Sequence, residues 1–272
     1  MLIRTNGKTD AFRVGIDRIG SDRVSKFVGS TAEVEFKKAC AIERVLEGSP
    51  FSTPKPLGFD AEAGRVEFAF VPDTVRLLDV IEHAYRECDL AQVLQLNRAA
   101  AELAVLLHRS LKLDSAVPWT PPDFLVEAAS RHHRDLNDLE QIYMHCDFSP
   151  VNLLVKPTGE LVAIDHSPNF YFTQRTDLTG PRYVSLATYT SKLFWPFRLR
   201  TYDLVRRRMA HVLRSEFVVR YEQASGVAID RELLCLFERA VVRSFANWKT
   251  QAVPVRWIAR VMSRLALPST SA

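Results

Sequence analysis

The 272-residue chain lacks any run approaching the roughly 18 consecutive apolar residues that a bilayer-spanning helix needs. Its start, MLIRTNGKTD, lacks the apolar centre of a secretory leader, so a cytoplasmic location is expected. Cysteine is scarce. Cys40, Cys88, Cys146 and Cys235 stand far apart with no C-x-x-C pair, which argues against a disulfide framework or a zinc site. They are expected to be reduced and mostly buried thiols. No internal repeat, low-complexity run, RNP motif or helix-turn-helix signature is present, so nucleic acid is not an expected partner. What remains, 47% hydrophobic residues over this length, suits one large domain or two lobes sharing a cleft.

The formal charge of +4 is unevenly spread. From Ser191 onward there are 15 Lys and Arg against 6 Asp and Glu, whereas the first 190 residues hold 21 against 26. The basic character belongs to the last third.

Short β-forming runs open the chain: Leu2 to Thr5, the turn pair Asn6-Gly7, Phe12 to Ile16, and Arg23 to Val28. A helix follows, with Ser30 and Glu33 spaced as a capping box and Gly48 at its close. Val34, Ile42, Val45 and Leu46 form its apolar stripe, Phe36 lies off it, and Glu35 and Lys38 fall inside it. Pro54 to Gly58 and Arg65 to Val71 read as a hairpin turning through Gly64, and Pro72 ends the sheet. Beyond it the pattern is mainly helical, as in Val93, Leu96, Ala100, Leu103 and Leu107. The pattern predicts an α+β chain with a small β-rich N-lobe over 1–72 and a larger, mainly helical C-lobe over 73–272, the cleft between them being the expected site.

The most informative stretch is His145-Cys-Asp147-Phe-Ser-Pro-Val-Asn152-Leu-Leu-Val155, followed after Pro157-Thr158-Gly159 by Leu161-Val-Ala-Ile-Asp165. The apolar runs flanking that turn form a hairpin, with 153 opposite 164 and 156 opposite 161 if the turn centres the register. Asn152 then stands opposite Asp165, with Asp147 on the loop feeding the hairpin. Oxygen donors of this kind suit Mg²⁺, which takes one or two protein groups plus phosphates. A further carboxylate can accept the proton of an attacking hydroxyl.

The spacing H-x-D-x-x-x-x-N, with Ile164-Asp165 thirteen residues beyond Asn152, resembles the catalytic and metal-binding segments of the protein-kinase-like superfamily. HCDFSPVNLLV is most similar to the corresponding block of the aminoglycoside and choline phosphotransferase family, and Leu106-Leu107-His108 and Asp177-Leu178 fall at similar places. The resemblance covers nearly the whole chain and implies a two-lobed protein-kinase-like fold. It further implies ATP and Mg²⁺ as cofactors, a small-molecule hydroxyl acceptor, Asp147 as catalytic carboxylate, and Asn152 and Asp165 as metal ligands. His145 would brace the loop, Lys26 on the third strand would reach the phosphates and pair with a helix glutamate, and backbone around Ala69, Phe70 and Val71 would meet the adenine. Asp177 is expected to be structural.

This sequence departs from the family at Cys146, where glycine is usual and only a small side chain is asked for, at His166, and in having only Asn6-Gly7-Lys8 as a phosphate-covering turn. Glu35 is the preferred partner for Lys26, since a carboxylate on a buried stripe needs a cation; Glu43, nearer the stripe's edge, is the other candidate. Phe170, Tyr171 and Phe172 suit either an acceptor pocket or core. Arg206 to Arg208 and the ridge Arg256, Arg260 and Arg264 make the C-terminal helices basic, which suits a solvated face or peripheral contact with an anionic membrane. Two functions are expected: a small-molecule kinase whose basic C-lobe disfavours a polycationic aminoglycoside, or a nucleotide-binding pseudokinase scaffold without turnover.

Overall fold

The computed structural model describes residues 16–166, 177–194 and 204–247. The expected strand at Leu2–Thr5, nearly all of the one at Phe12–Ile16, the Asn6-Gly7-Lys8 turn, the aromatics 170–172 and the ridge Arg256, Arg260 and Arg264 lie outside these residues.

Strands β1 (Ile16–Ile19) and β2 (Arg23–Phe27) pair antiparallel around Gly20, at φ 70, with Ile16 opposite Lys26. A 3₁₀ turn at Gly29–Thr31 then leads into helix α1 (Ala32–Leu46). The expected capping box does not form. The 3₁₀ turn moves the start of the helix one residue along, placing Thr31 at the N-cap, its hydroxyl donating to the Val28 carbonyl (2.9 Å). Glu33 instead pairs with Lys37 one turn on, at 2.7 Å. The buried face of α1 comprises Ala32, Glu35, Lys38, Ala39, Ala41, Ile42 and Leu46, so the two charged residues inside the stripe are indeed internal. Phe36, off the stripe, packs on Phe59 with ring centroids 5.3 Å apart.

After β3 (Phe51–Ser52), strands β4 (Pro56–Asp60) and β5 (Arg65–Ala69) make the expected hairpin, and the sheet runs β1-β2-β5-β4. Gly64, at φ 64, closes it, and its carbonyl accepts the N–H groups of Val28 (2.8 Å) and Gly29 (3.0 Å). A Cβ at Gly64 would stand 2.8 Å from the Gly29 Cα. This approach ties the hairpin turn to the entry of α1.

The chain continues through β6 (Val75–Arg76), α2 (Leu77–Glu87), α3 (Ala91–Ser110), β7 (Val117–Pro118), α4 (Asp123–Arg131), β8 (Gln141–Tyr143), β9 (Leu153–Val155) and β10 (Leu161–Ala163). Then follow β11 (Leu178–Pro181), α5 (Tyr183–Lys192), α6 (Leu204–Ser225) and α7 (Arg231–Asn247). The helical stripe of α3 is buried throughout, and no described helix is long and apolar enough to cross a membrane. Two small sheets, β3-β10-β9-β6 and β7-β11-β8, interrupt the expected helical region. Apart from the β9–β10 hairpin, their strands are mostly two to four residues long, too short to show a period. Strand β3 precedes residue 72 yet pairs with β10, so this sheet draws on both sides of the expected boundary.

The β9–β10 hairpin differs from expectation by one residue. Leu153 faces Ala163 and Val155 faces Leu161. Gly159, at φ 86, closes a three-residue turn between Lys156 and Glu160 in place of a four-residue one. Asn152 therefore meets Ile164, whose N–H donates to its carbonyl (2.9 Å), and not Asp165.

Candidate active site

The loop after β8 carries His145, Cys146 and Asp147 into a 3₁₀ turn at Pro150–Asn152. Cys146 lies at φ 77, so this position asks for left-handed backbone and not merely a small side chain; glycine adopts it without strain. Lys38, buried on α1, holds the strained loop by donating to the His145 carbonyl (3.0 Å), Cys146 Sγ (3.2 Å) and the His166 carbonyl (3.1 Å). Burial pushes the Cys146 thiol pKa up, with Lys38 opposing, and Sγ donates onward to the Met144 carbonyl (3.6 Å). Of the four thiols, Cys146 and Cys235 are buried, whereas Cys88 is exposed and Cys40 half-buried.

Asp147 is held from two sides. Asn152 Nδ2 donates both to its Oδ2 (2.8 Å) and to its backbone carbonyl (3.0 Å), which leaves the Asn152 amide oxygen turned to accept or ligate. Lys192 Nζ, at the end of α5, donates to Asp147 Oδ1 (2.9 Å) and to Ser149 Oγ (3.0 Å).

Lys26, on β2, joins three elements. Its ammonium donates to Glu35 Oε1 on α1 (2.9 Å) and to Asp165 Oδ1 just beyond β10 (2.6 Å). Glu43 makes no such approach. Burial alone would lower the Lys26 pKa, but the charges and hydrogen bonds of Asp165 and Glu35 outweigh it and raise the pKa above the ordinary lysine range. Asp165 itself is left-handed, at φ 54.

A chain of neutral histidines backs the loop. The Thr53 hydroxyl donates to the Ala163 carbonyl (2.9 Å), so its oxygen receives His166 Nε2–H (2.9 Å). His166 Nδ1 is then bare and accepts from His145 Nε2–H (2.9 Å), a tautomer assignment that leaves His145 Nδ1 without a proton or a described partner. Burial is the main cause that lowers both pKa values, His166 to about 3, so the relay carries no charge.

Lys26 and Asp165 also border a 360 Å³ cavity walled by Val24, Phe68, Ala69, Phe70, Leu154 and Ile164. At its rim the Ala69 N–H donates to the Lys55 carbonyl (2.8 Å) and the Phe70 N–H to the Asp22 carbonyl (2.7 Å), so neither remains for a ligand. Among the described residues no cluster of three or more His, Cys, Asp or Glu gathers. A hard cation sharing its shell with phosphates needs no such cluster; the Asn152 amide oxygen and the Asp165 carboxylate are the donor type it takes.

The residues named from the sequence thus converge, and three more join them: Lys38, Thr53 and Lys192. Lys38 showed itself by lying inside an apolar stripe. Lys192 ends a helix with no other charge from Tyr183 to Ser191, a signal that was there to be read. Thr53 left no signal.

No protein-family model matches the sequence, and no curated protein matches it either. Solved structures do. A glucosamine kinase is 16% identical with a TM-score of 0.63, over 92% of this chain and 75% of that one. Choline kinase LicA from Streptococcus pneumoniae is 14% identical with a TM-score of 0.52, over 92% and 88%. An aminoglycoside-3'-phosphotransferase of type VIII is 17% identical with a TM-score of 0.50, over 85% and 87%. One glucosamine kinase structure holds glucosamine, ADP and inorganic phosphate, and one of LicA holds AMP. The chain therefore has the two-lobed α+β fold that these protein-kinase-like small-molecule kinases share.

Proposed function

We propose that this chain is an ATP- and Mg²⁺-dependent phosphotransferase that moves the γ-phosphoryl group to a hydroxyl of a small molecule. The observation that carries the reading is the continuous linkage Glu35–Lys26–Asp165 on the wall of an apolar cavity, with Asn152 and Asp147 following on the adjoining hairpin and loop. On this reading the segment up to 72 is the nucleotide lobe and 73–272 the acceptor lobe. The purine lies between the apolar walls, where the Ala69 carbonyl and Val71 N–H are the backbone groups offered to it. Lys26 steadies the phosphates, aimed by Glu35. Asn152 and Asp165 would hold Mg²⁺, which supplies charge neutralisation at the phosphate oxygens. Asp147 orients the acceptor hydroxyl and takes its proton as the new O–P bond forms and the bond to the ADP oxygen breaks. His145, neutral on the Thr53–His166 relay, keeps the loop in shape.

The acceptor is proposed to be a neutral or anionic hydroxyl compound, such as a sugar or a glycolipid head group. In the C-terminal third, Glu216, Glu222, Asp230 and Glu238 are already paired with Arg98, Arg231, Arg134 and Arg214 at 2.6–2.7 Å. These carboxylates are therefore not on offer to a polycation, and Lys192 sets a positive charge beside Asp147.

ATP consumption by the purified chain with Mg²⁺ across neutral, anionic and cationic alcohols tests this. Asp147→Ala and Asp165→Ala are expected to lower turnover by at least about 10³-fold while far-UV circular dichroism stays unchanged. Activity within a few fold of wild type in either variant refutes the assignment. Mg²⁺-dependent ATP binding without transfer to any acceptor would favour the scaffold function.

A further inference from the structure

We propose that Lys192 is a positioning residue for phosphoryl transfer, acting through Asp147; this rests on the phosphotransferase reading above. The residue is 3% exposed, and its ammonium lies 2.9 Å from Asp147 Oδ1 and 3.0 Å from Ser149 Oγ. Together with Asn152, which donates to Oδ2, it fixes both the plane and the direction of the carboxylate, leaving lone pairs free on both oxygens for an incoming hydroxyl. Were Asn152 to turn toward a cation, Lys192 would remain as the other hold on Asp147.

The lysine is delivered by a rigid element. Every residue of α5 is buried, so the helix is packed all round. Tyr189, one turn before Lys192, stacks on Phe217 of α6 with centroids 4.0 Å apart, and its other neighbour is Phe148, next to Asp147, at 5.7 Å. The Tyr189 hydroxyl donates to Asn97 Oδ1 on α3 (3.0 Å), and the Tyr85 hydroxyl on α2 donates to the Leu193 carbonyl (3.1 Å). Three helices thus set the end of α5, and with it the ammonium, to the tolerance that a catalytic carboxylate requires. A buried ammonium on a helix otherwise free of charge is costly unless a carboxylate compensates it, and Asp147 does so at 2.9 Å.

The experiment compares wild type, Lys192→Met and Lys192→Arg in steady-state transfer to the best acceptor of the panel, or to water where none reacts. Calorimetry with a non-hydrolysable ATP analogue and Mg²⁺ runs alongside. Lys192→Met is expected to lower kcat by about 10²-fold, with acceptor KM and analogue affinity within about threefold of wild type, and Lys192→Arg to recover at least about a tenth of the lost rate. Added to Asp147→Asn, Lys192→Met should cause no further loss, because both act at one carboxylate. Additive losses, or KM, affinity and kcat failing together, would mean a structural role and overturn the proposal. Wild-type kcat in Lys192→Met overturns it while leaving the phosphotransferase reading intact. A wild-type chain that binds the nucleotide but transfers to neither alcohol nor water overturns both. If Lys192→Met does not fold, Lys192→Gln is read in the same way.

Discussion

At the scale of single residues, the site is governed by what buried charges require. Glu35 is fully buried on α1, and Lys26 is the cation that makes this tolerable. The stripe made readable only that Glu35, a carboxylate among Ile42 and Leu46, needs a counter-charge; Lys26 as that cation was implied by the family resemblance, and the fold brings the two to 2.9 Å. Asp165 was readable as a site residue, but its ion pair with Lys26, 139 residues away, was not. Lys26→Met should therefore destabilise the protein by about 3 kcal/mol in urea unfolding, by leaving Glu35 without its cation. Lys26→Met combined with Glu35→Leu should recover most of that loss. If the double variant is as unstable as the single one, Glu35 is not the group left uncompensated.

At the scale of elements, turns place the site. Gly64 was readable as the closing residue of the β4–β5 hairpin, but its contact with Gly29 was not, since that depends on two loops meeting 35 residues apart. Gly64→Ala meets both a left-handed backbone, at φ 64, and the Gly29 Cα at 2.8 Å. It should lower stability by about 2 kcal/mol or more and weaken nucleotide affinity, because the entry of α1, and so Glu35, must shift. Stability and affinity matching wild type would show that the turn does not set the helix. The β9–β10 hairpin makes a similar point. Its two strands and turn were plain in the sequence, but the register depended on whether Gly159 made a three- or four-residue turn, and the difference moved the residue opposite Asn152 from Asp165 to Ile164.

At the scale of the whole molecule, three histidines from distant segments are sealed in neutral form. His166 and His108 have pKa values lowered to about 3, and His145 is also lowered well below the usual value, with burial the main cause in each case. His108 Nδ1 accepts from the Tyr221 hydroxyl (2.8 Å), which in turn accepts from Arg182 (3.0 Å). In each case the unfolded chain takes up a proton near pH 6.5 that the folded chain refuses until far lower pH. Stability is thus fully present above about pH 6.5 and falls as the pH drops toward 3. Between pH 7.5 and 5.0 His166 and His108 should each remove about 2 kcal/mol, with His145 shifting stability in the same direction, read as a falling urea midpoint. An unchanged midpoint over that range would exclude the neutral relay.

The sequence by itself determined the elements whose causes are local: the helical stripes of α1 and α3, the hairpins, and the H-x-D-x-x-x-x-N block with its following aspartate. Charge counting also identified the basic last third, where the described carboxylates prove to be largely taken up by arginines. Only the tertiary structure decided which charges meet. Lys192 reaches Asp147 across 45 residues, Lys38 reaches Cys146 across 108, and Thr53 reaches His166 across 113. The physical reason is that periodicity and turn chemistry act within a few residues, whereas a buried ion must find its partner wherever packing brings one.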